Sequence, residues 1–154
     1  MKKPVRKLLL SPILINFDIM NNQKQYIFEL ELKVRDYELD AEGIVNNANY
    51  LHYLELARHE FCESAGFSFA EMRRRGIDPV VSRAEIDYLI PLRAGERFVC
   101  KLNIERRGPR FIFLQDIFHS DGRPVLKAVI TTVALENGRP TRGEALAEVF
   151  GKYL

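Results

Sequence analysis

Between Ala48 and Ala65 apolar residues recur at helical spacing, at Tyr50, Leu54, Ala57, Phe61 and Ala65, while Leu51, Tyr53, Leu56 and Cys62 occupy other sides of the same helix. A surface helix needs only one apolar stripe, so a helix that is apolar on several sides must be surrounded. Asn46 or Asn47 supplies an N-cap and Gly66 a C-cap. In a chain of 154 residues, room for one domain, the remainder has to wrap this helix.

The flanking segments have the means. From Tyr26, Phe28, Leu30, Leu32 and Val34 alternate with Glu29, Glu31 and Lys33, the period of a half-buried strand. Tyr37–Asn47 breaks that alternation and reads as a loop. A short helical piece, Ser68–Arg75, ends at Gly76. Four strand-like segments follow, Pro79–Ile90, Glu96–Glu105, Arg110–His119 and Pro124–Leu135, separated by the turn-forming stretches PLRAGE, RRGPR and SDGRP. Their close spacing predicts a four-stranded antiparallel meander, whose last strand, apolar on both faces, is expected to be central and covered on both sides. Arg142–Tyr153 is expected to form a short terminal helix. Without βαβ alternation or repeats the plan is α+β, a five-stranded antiparallel sheet wrapped around one long central helix. Such a wrap leaves an edge open, and a homodimer or homotetramer is expected to cover it.

Residues 1–25 are expected to be a loose N-terminal extension to a domain over 26–154. The run LLLSPILI after four basic residues imitates a signal peptide, but Pro12 interrupts it, Asp18 follows it and no small-x-small site appears. It is shorter than the ~20 apolar residues of a membrane span, and Met20 is a possible alternative start.

Composition narrows the function. With 23 basic and 21 acidic side chains the formal charge is +2, which argues against a nucleic-acid partner bound through phosphate neutralisation. Cys62 and Cys100 are too few and too far apart for a disulfide framework or a zinc site; both read as packing residues in a reducing, cytoplasmic compartment. The chain has no Gly-x-Ser-x-Gly, no phosphate-binding glycine fingerprint and no His-Glu-x-x-His, so the serine elbow, nucleotide cradles and a metal centre are not expected.

The chemistry concentrates in DYELDAEGIVNNANYLHYLELAR, Asp36 to Arg58. Asp40 precedes the start of the long helix, where backbone N–H groups lack intrahelical partners and can hold a developing oxyanion. A carboxylate beside such donors can attack a carbonyl or deprotonate water, which is equipment for acyl transfer. Asp40 also suits a turn, and Asn47 is either the N-cap or a substrate-polarising amide. Glu55 and Arg58, three apart, suit an ion pair on one helix face, or Glu55 is a second catalytic carboxylate. Arg106, Arg107 and Arg110, around the turn ERRGPR, suit either a solvated turn or the phosphates of coenzyme A or phosphopantetheine.

This junction resembles the motif of the 4-hydroxybenzoyl-CoA thioesterase type within the hotdog-fold thioesterase superfamily, approximately Asp-x-Asp-x-x-Gly-Val-Val-x-x-x-Asn-Tyr followed by a helical Glu-x-x-Arg. Asp40, Gly43, Asn49, Tyr50, Glu55 and Arg58 match it. Glu38 replaces the first aspartate, and Asn47 stands where a histidine is common. Val45-Asn46-Asn47 looks like the variant of acyl-acyl-carrier-protein and acyl-CoA thioesterases of the same fold. The resemblance implies a helix wrapped by an antiparallel sheet, paired across a dimer interface, with Asp40 as the catalytic carboxylate. The expected catalytic set is Asp40, Asn47 and Glu55. The expected substrate-binding set is Gly43, Val45, Asn46, Asn49 and Tyr50 together with Arg106, Arg107 and Arg110. The expected activity is hydrolysis of acyl-CoA or an acyl-carrier-protein thioester, without metal or cofactor. A non-catalytic acyl-thioester binding module and a hotdog dehydratase are the alternatives, the latter weakened by the lack of a His-Phe-Pro segment.

Overall fold

The computed structural model describes residues 25–154, so the expectations placed on the N-terminal extension lie outside the described residues. Strand β1, Phe28–Lys33, alternates half-buried and exposed positions as the period-two reading requires. A single 3-10 turn, Asp36–Glu38, opens the loop that leads to helix α1, Asn47–Ser64. Helix α2, Phe69–Arg74, is capped by the Ser68 hydroxyl, which accepts from the Glu71 N–H at 3.1 Å. Four longer strands follow: β2, Ile77–Tyr88; β3, Arg97–Arg107; β4, Arg110–His119; and β5, Pro124–Glu136. The two-residue strand β6, Arg139–Pro140, folds back on β5, and helix α3, Glu144–Phe150, closes the domain.

The sheet order is β1-β3-β4-β5-β2, antiparallel throughout. The expected four-stranded meander is therefore corrected: only β3, β4 and β5 follow one another as neighbours, and β2 joins the far side of β5. The segment between Tyr88 and Arg97 is long enough to cross the end of the sheet, and buried Leu92 anchors it there. Turn residues such as Pro91 and Gly95 look the same whether a strand returns beside its predecessor or crosses over.

Inward positions of the interior strands, Cys100, Leu102, Phe111, Phe113, Ala128 and Ile130 among them, are buried beneath α1. Strand β5 is interior as expected, but its outward residues Val129, Val133 and Leu135 are only partly covered. Helix α1 buries Tyr50, Tyr53, Leu54, Ala57, Phe61 and Cys62. Phe61 sits among Phe28, Phe150 and Tyr153 at ring-centroid distances of 5.9, 5.9 and 4.9 Å, so β1, α3 and the chain terminus all close on the last turns of the helix. The wrap is incomplete within one chain. Leu51 and Leu56 are 45% and 41% exposed, and edge strand β2 leaves Val80, Val81 and Tyr88 open to solvent.

Gly143 precedes α3 at φ 73°, where a Cβ would meet Phe111 Cε2 at 2.7 Å; only glycine allows α3 to start this close to β4. Both cysteines are free and buried, as their apolar surroundings predict, and burial pushes each thiol up to about 12. No helix among the described residues is long and apolar enough to cross a membrane.

Candidate active site

The approach to α1 is fixed from below by Glu38. Its buried carboxylate accepts from the Arg35 N–H and from the Tyr53 hydroxyl, both at 2.7 Å. Its backbone carbonyl accepts from the Asn46 N–H at 2.9 Å and from Asn49 Nδ2 at 2.7 Å. One residue thus ties the 3-10 turn to the first two turns of the helix. Desolvation and the neighbouring carboxylate hold the Tyr53 phenol protonated far above its ordinary range, so it stays a donor. Tyr53→Phe removes that donor and leaves a buried carboxylate short of one partner; we expect a stability loss of about 1–3 kcal/mol, read by denaturant unfolding. A loss below a few tenths of a kcal/mol would show that water replaces the hydroxyl.

Beyond Glu38 the chain makes a tight loop closed by the Leu39–Val45 bridge. Asp40 Oδ1 accepts from the N–H groups of Glu42 and Ile44 at 3.0 and 3.4 Å, and the Asp40 N–H donates to the Ile44 carbonyl at 2.8 Å. Gly43, at φ 72°, permits the reversal. Asp40 Oδ2 accepts from none of the described residues. The carboxylate is oriented through one oxygen and unengaged at the other.

Asp40 lines a cleft of about 330 Å³ together with Ile44, Val45, Asn47 and Tyr50 from the junction and Tyr88 to Pro91 from the end of β2. Tyr50 accepts from the Leu92 N–H at 3.1 Å, and Tyr88 donates to the Asn47 carbonyl at 3.2 Å while its ring meets that of Tyr50 edge-on. These contacts seat the crossover segment against the helix start. Asn46 is the N-cap, its side chain accepting from the Ala48 N–H at 2.9 Å. Asn47 is released from that duty. It is the first residue of α1, exposed at the cleft, with neither its side-chain amide nor its N–H bonded to a described residue.

The expected site residues divide into three groups. Asp40, Val45, Asn47 and Tyr50 share the cleft, with Gly43 in its supporting turn. Asn46 and Asn49 are engaged in holding the loop to the helix. Glu55 and the arginine turn lie elsewhere. Glu55 is two turns along α1, about 12 Å from Asn47, and its carboxylate approaches His59 Nε2 at 3.7 Å. The ion pair expected between Glu55 and Arg58 is not made: Arg58 Nη1 donates instead to Gln115 Oε1 at 2.8 Å, because its side chain turns in toward β4. Arg106 and Arg107 end the strand whose start lies beside the junction, on the order of 30 Å away. Arg106 is bound to Glu144 and to the Arg142 carbonyl, and Arg107 pairs with Glu105. Arg110 is exposed, and its side chain makes no hydrogen bond or ion pair with a described residue.

The sequence shows Glu38 in the place of the motif's first aspartate but not its buried role beneath the helix start. Tyr88 was missed: no local signal marks it, and it reaches the cleft only through the crossover.

The model of the thioesterase-like superfamily matches residues 34–149. The chain is 46% identical over 117 residues to the chloroplastic acyl-acyl carrier protein thioesterase ATL2 of Arabidopsis thaliana, covering 74% of this chain and 62% of that protein. It therefore spans somewhat less than two thirds of that plant relative. It is 30% identical over 110 residues to the long-chain acyl-CoA thioesterase FadM of Escherichia coli, covering 70% of this chain and 83% of that one. Among solved structures, a hypothetical protein from Aquifex aeolicus superimposes with a TM-score of 0.74 at 35% identity, over 79% of this chain and 98% of that one.

Proposed function

The chain belongs to the thioesterase-like superfamily, with its hotdog fold of a helix wrapped by an antiparallel sheet, and from that premise we propose that it hydrolyses acyl thioesters at the Asp40 cleft. Within the superfamily we place it with the 4-hydroxybenzoyl-CoA thioesterase type on the Asp40 to Arg58 junction, and in a cytoplasmic, reducing compartment on its two free thiols. The observation that carries the reading is a carboxylate held by two backbone N–H groups through one oxygen and unengaged at the other, next to a helix start with spare donors.

The thioester carbonyl oxygen lies toward the Asn47 N–H and side-chain amide, where the helix dipole favours negative charge. Asp40 takes a proton from water; the hydroxide adds to the carbonyl carbon; the tetrahedral oxyanion collapses and expels the thiolate, which is protonated to the free thiol. In the nucleophilic variant the Asp40 carboxylate adds first, expels the thiolate and forms a mixed anhydride that water then opens. No metal or cofactor enters either route.

We favour acyl-CoA as substrate; the plant acyl-carrier-protein relative supports a carrier-protein thioester as the second reading. Of the three arginines proposed for substrate phosphates, Arg110 is the one with its donors open, and a coenzyme A seated at Asp40 meets it only by crossing to that end of the sheet or to a second copy. The decisive assay is thiol release from acyl-CoAs of increasing length and from matched acyl-carrier proteins. Release from one class identifies the carrier, and no release from either overturns the hydrolase.

We further propose that a second copy covers the β2 edge and the exposed flank of α1, where Leu51, Leu56, Val80 and Val81 are open. Sedimentation at micromolar concentration should show a dimer or tetramer. A monomer there refutes the assembly.

A further inference from the structure

The half-buried guanidinium of Arg58 has a role in neither route. Among the described residues it donates one hydrogen bond, from Nη1 to Gln115 Oε1, and no carboxylate lies within ion-pair distance of it. Gln115 is fully buried, and its Nε2 donates to the Leu54 carbonyl at 3.0 Å, so its acceptor oxygen is fixed toward Arg58. The remaining N–H groups of the fork have no partner among the described residues.

Arg58 lines a cavity of about 230 Å³ whose walls include Cys62, Phe69, Val81, Phe113 and Phe150. Burial lowers the proton affinity of its guanidinium, and the exposed Glu55 at the cavity edge offsets this only in part. The guanidinium carbon lies 5.9 Å from the centre of the Phe113 ring, but with no carboxylate within ion-pair distance its burial is costly.

The cavity lies in line with the Asp40 cleft. Helix α1 leads from Asn47 in the cleft to Arg58, about 16 Å at its rise per residue. Strand β2 leads the same way, from Tyr88 in the cleft to Val81 in the cavity. Ile86 and Ala84 lie between, opposite the buried Ala128 and Ile130 of β5 and so on the helix side of the sheet. An acyl chain whose thioester is at Asp40 can lie along this seam and end at Arg58.

We propose that Arg58, held by Gln115, binds a carboxylate at the far end of the acyl group, so that the enzyme selects ω-carboxyacyl thioesters. This rests on the thioesterase reading. A planar fork with open donors matches a carboxylate in two parallel hydrogen bonds.

The test compares CoA monothioesters of saturated dicarboxylic acids with unsubstituted acyl-CoAs of the same chain lengths. For the wild type, kcat/KM should favour the carboxyacyl member by roughly 10- to 100-fold at the chain length that spans the seam. In Arg58→Leu the ratio should collapse to about one. Gln115→Glu, which gives Arg58 a carboxylate of its own, should abolish the preference too, and it decides the matter should Arg58→Leu not fold. A wild-type ratio of one or below at every length overturns the carboxylate site while leaving the hydrolase intact. A preference that persists in folded Arg58→Leu or Gln115→Glu overturns it as well. Thiol release from neither series overturns the hydrolase itself.

Discussion

Asp40→Asn should lower kcat for thioester hydrolysis by roughly 10²- to 10⁴-fold, the range for loss of a positioned proton-transfer group. The amide keeps the size of the side chain and an oxygen able to accept from the Glu42 and Ile44 N–H groups, so the loop should persist. Only the charge at the unengaged oxygen disappears. Binding should survive, because the apolar wall of Ile44, Val45 and Leu89 is unchanged. Steady-state kinetics with thermal unfolding reads both quantities: a fallen kcat with unchanged Tm assigns the chemistry to Asp40. Wild-type turnover by the variant refutes the assignment, and Glu55→Gln then shows whether the helix carboxylate carries the reaction.

Phe61→Ala should cost about 3–5 kcal/mol, lowering Tm by roughly 10–20 °C. Phe61 is 1% exposed and meets rings from β1, α3 and the terminal turn, so its removal opens a cavity bounded by elements that cannot all close on it. Glu60→Ala, one residue earlier and exposed, should stay within about 0.5 kcal/mol. Equal losses in the two variants would show that helix propensity, rather than the aromatic cluster, sets the stability of this end.

Both predictions draw on features legible at different levels. Helix α1 could be read almost to the residue, because apolar spacing, an asparagine cap and a following glycine are local signals. Strand positions followed from alternation, which the burial of β1 and β3 repeats. The neighbour of β2 could not be read, because alternation says which face a residue takes and nothing about which strand lies beside it. At the junction, residue types and spacing marked Asp40, but not that one of its oxygens is bonded and the other open. Asn46 and Asn47 were interchangeable as caps until the loop geometry gave the work to Asn46.

What the sequence determined by itself is whatever depends on periods of two and 3.6 residues and on near-neighbour chemistry: the elements, their buried faces, the place of Asp40 in the loop ahead of the long helix and the burial of both thiols. Tertiary structure alone decided which distant residues meet. It set Glu38 under Tyr53, brought Tyr88 to Asn47 across the crossover, turned Arg58 from Glu55 to Gln115 and sent the arginine turn to the opposite end of the sheet. The physical reason is that hydrogen-bond partners far apart in the chain are chosen by the burial of the whole core, through contacts that no local pattern encodes.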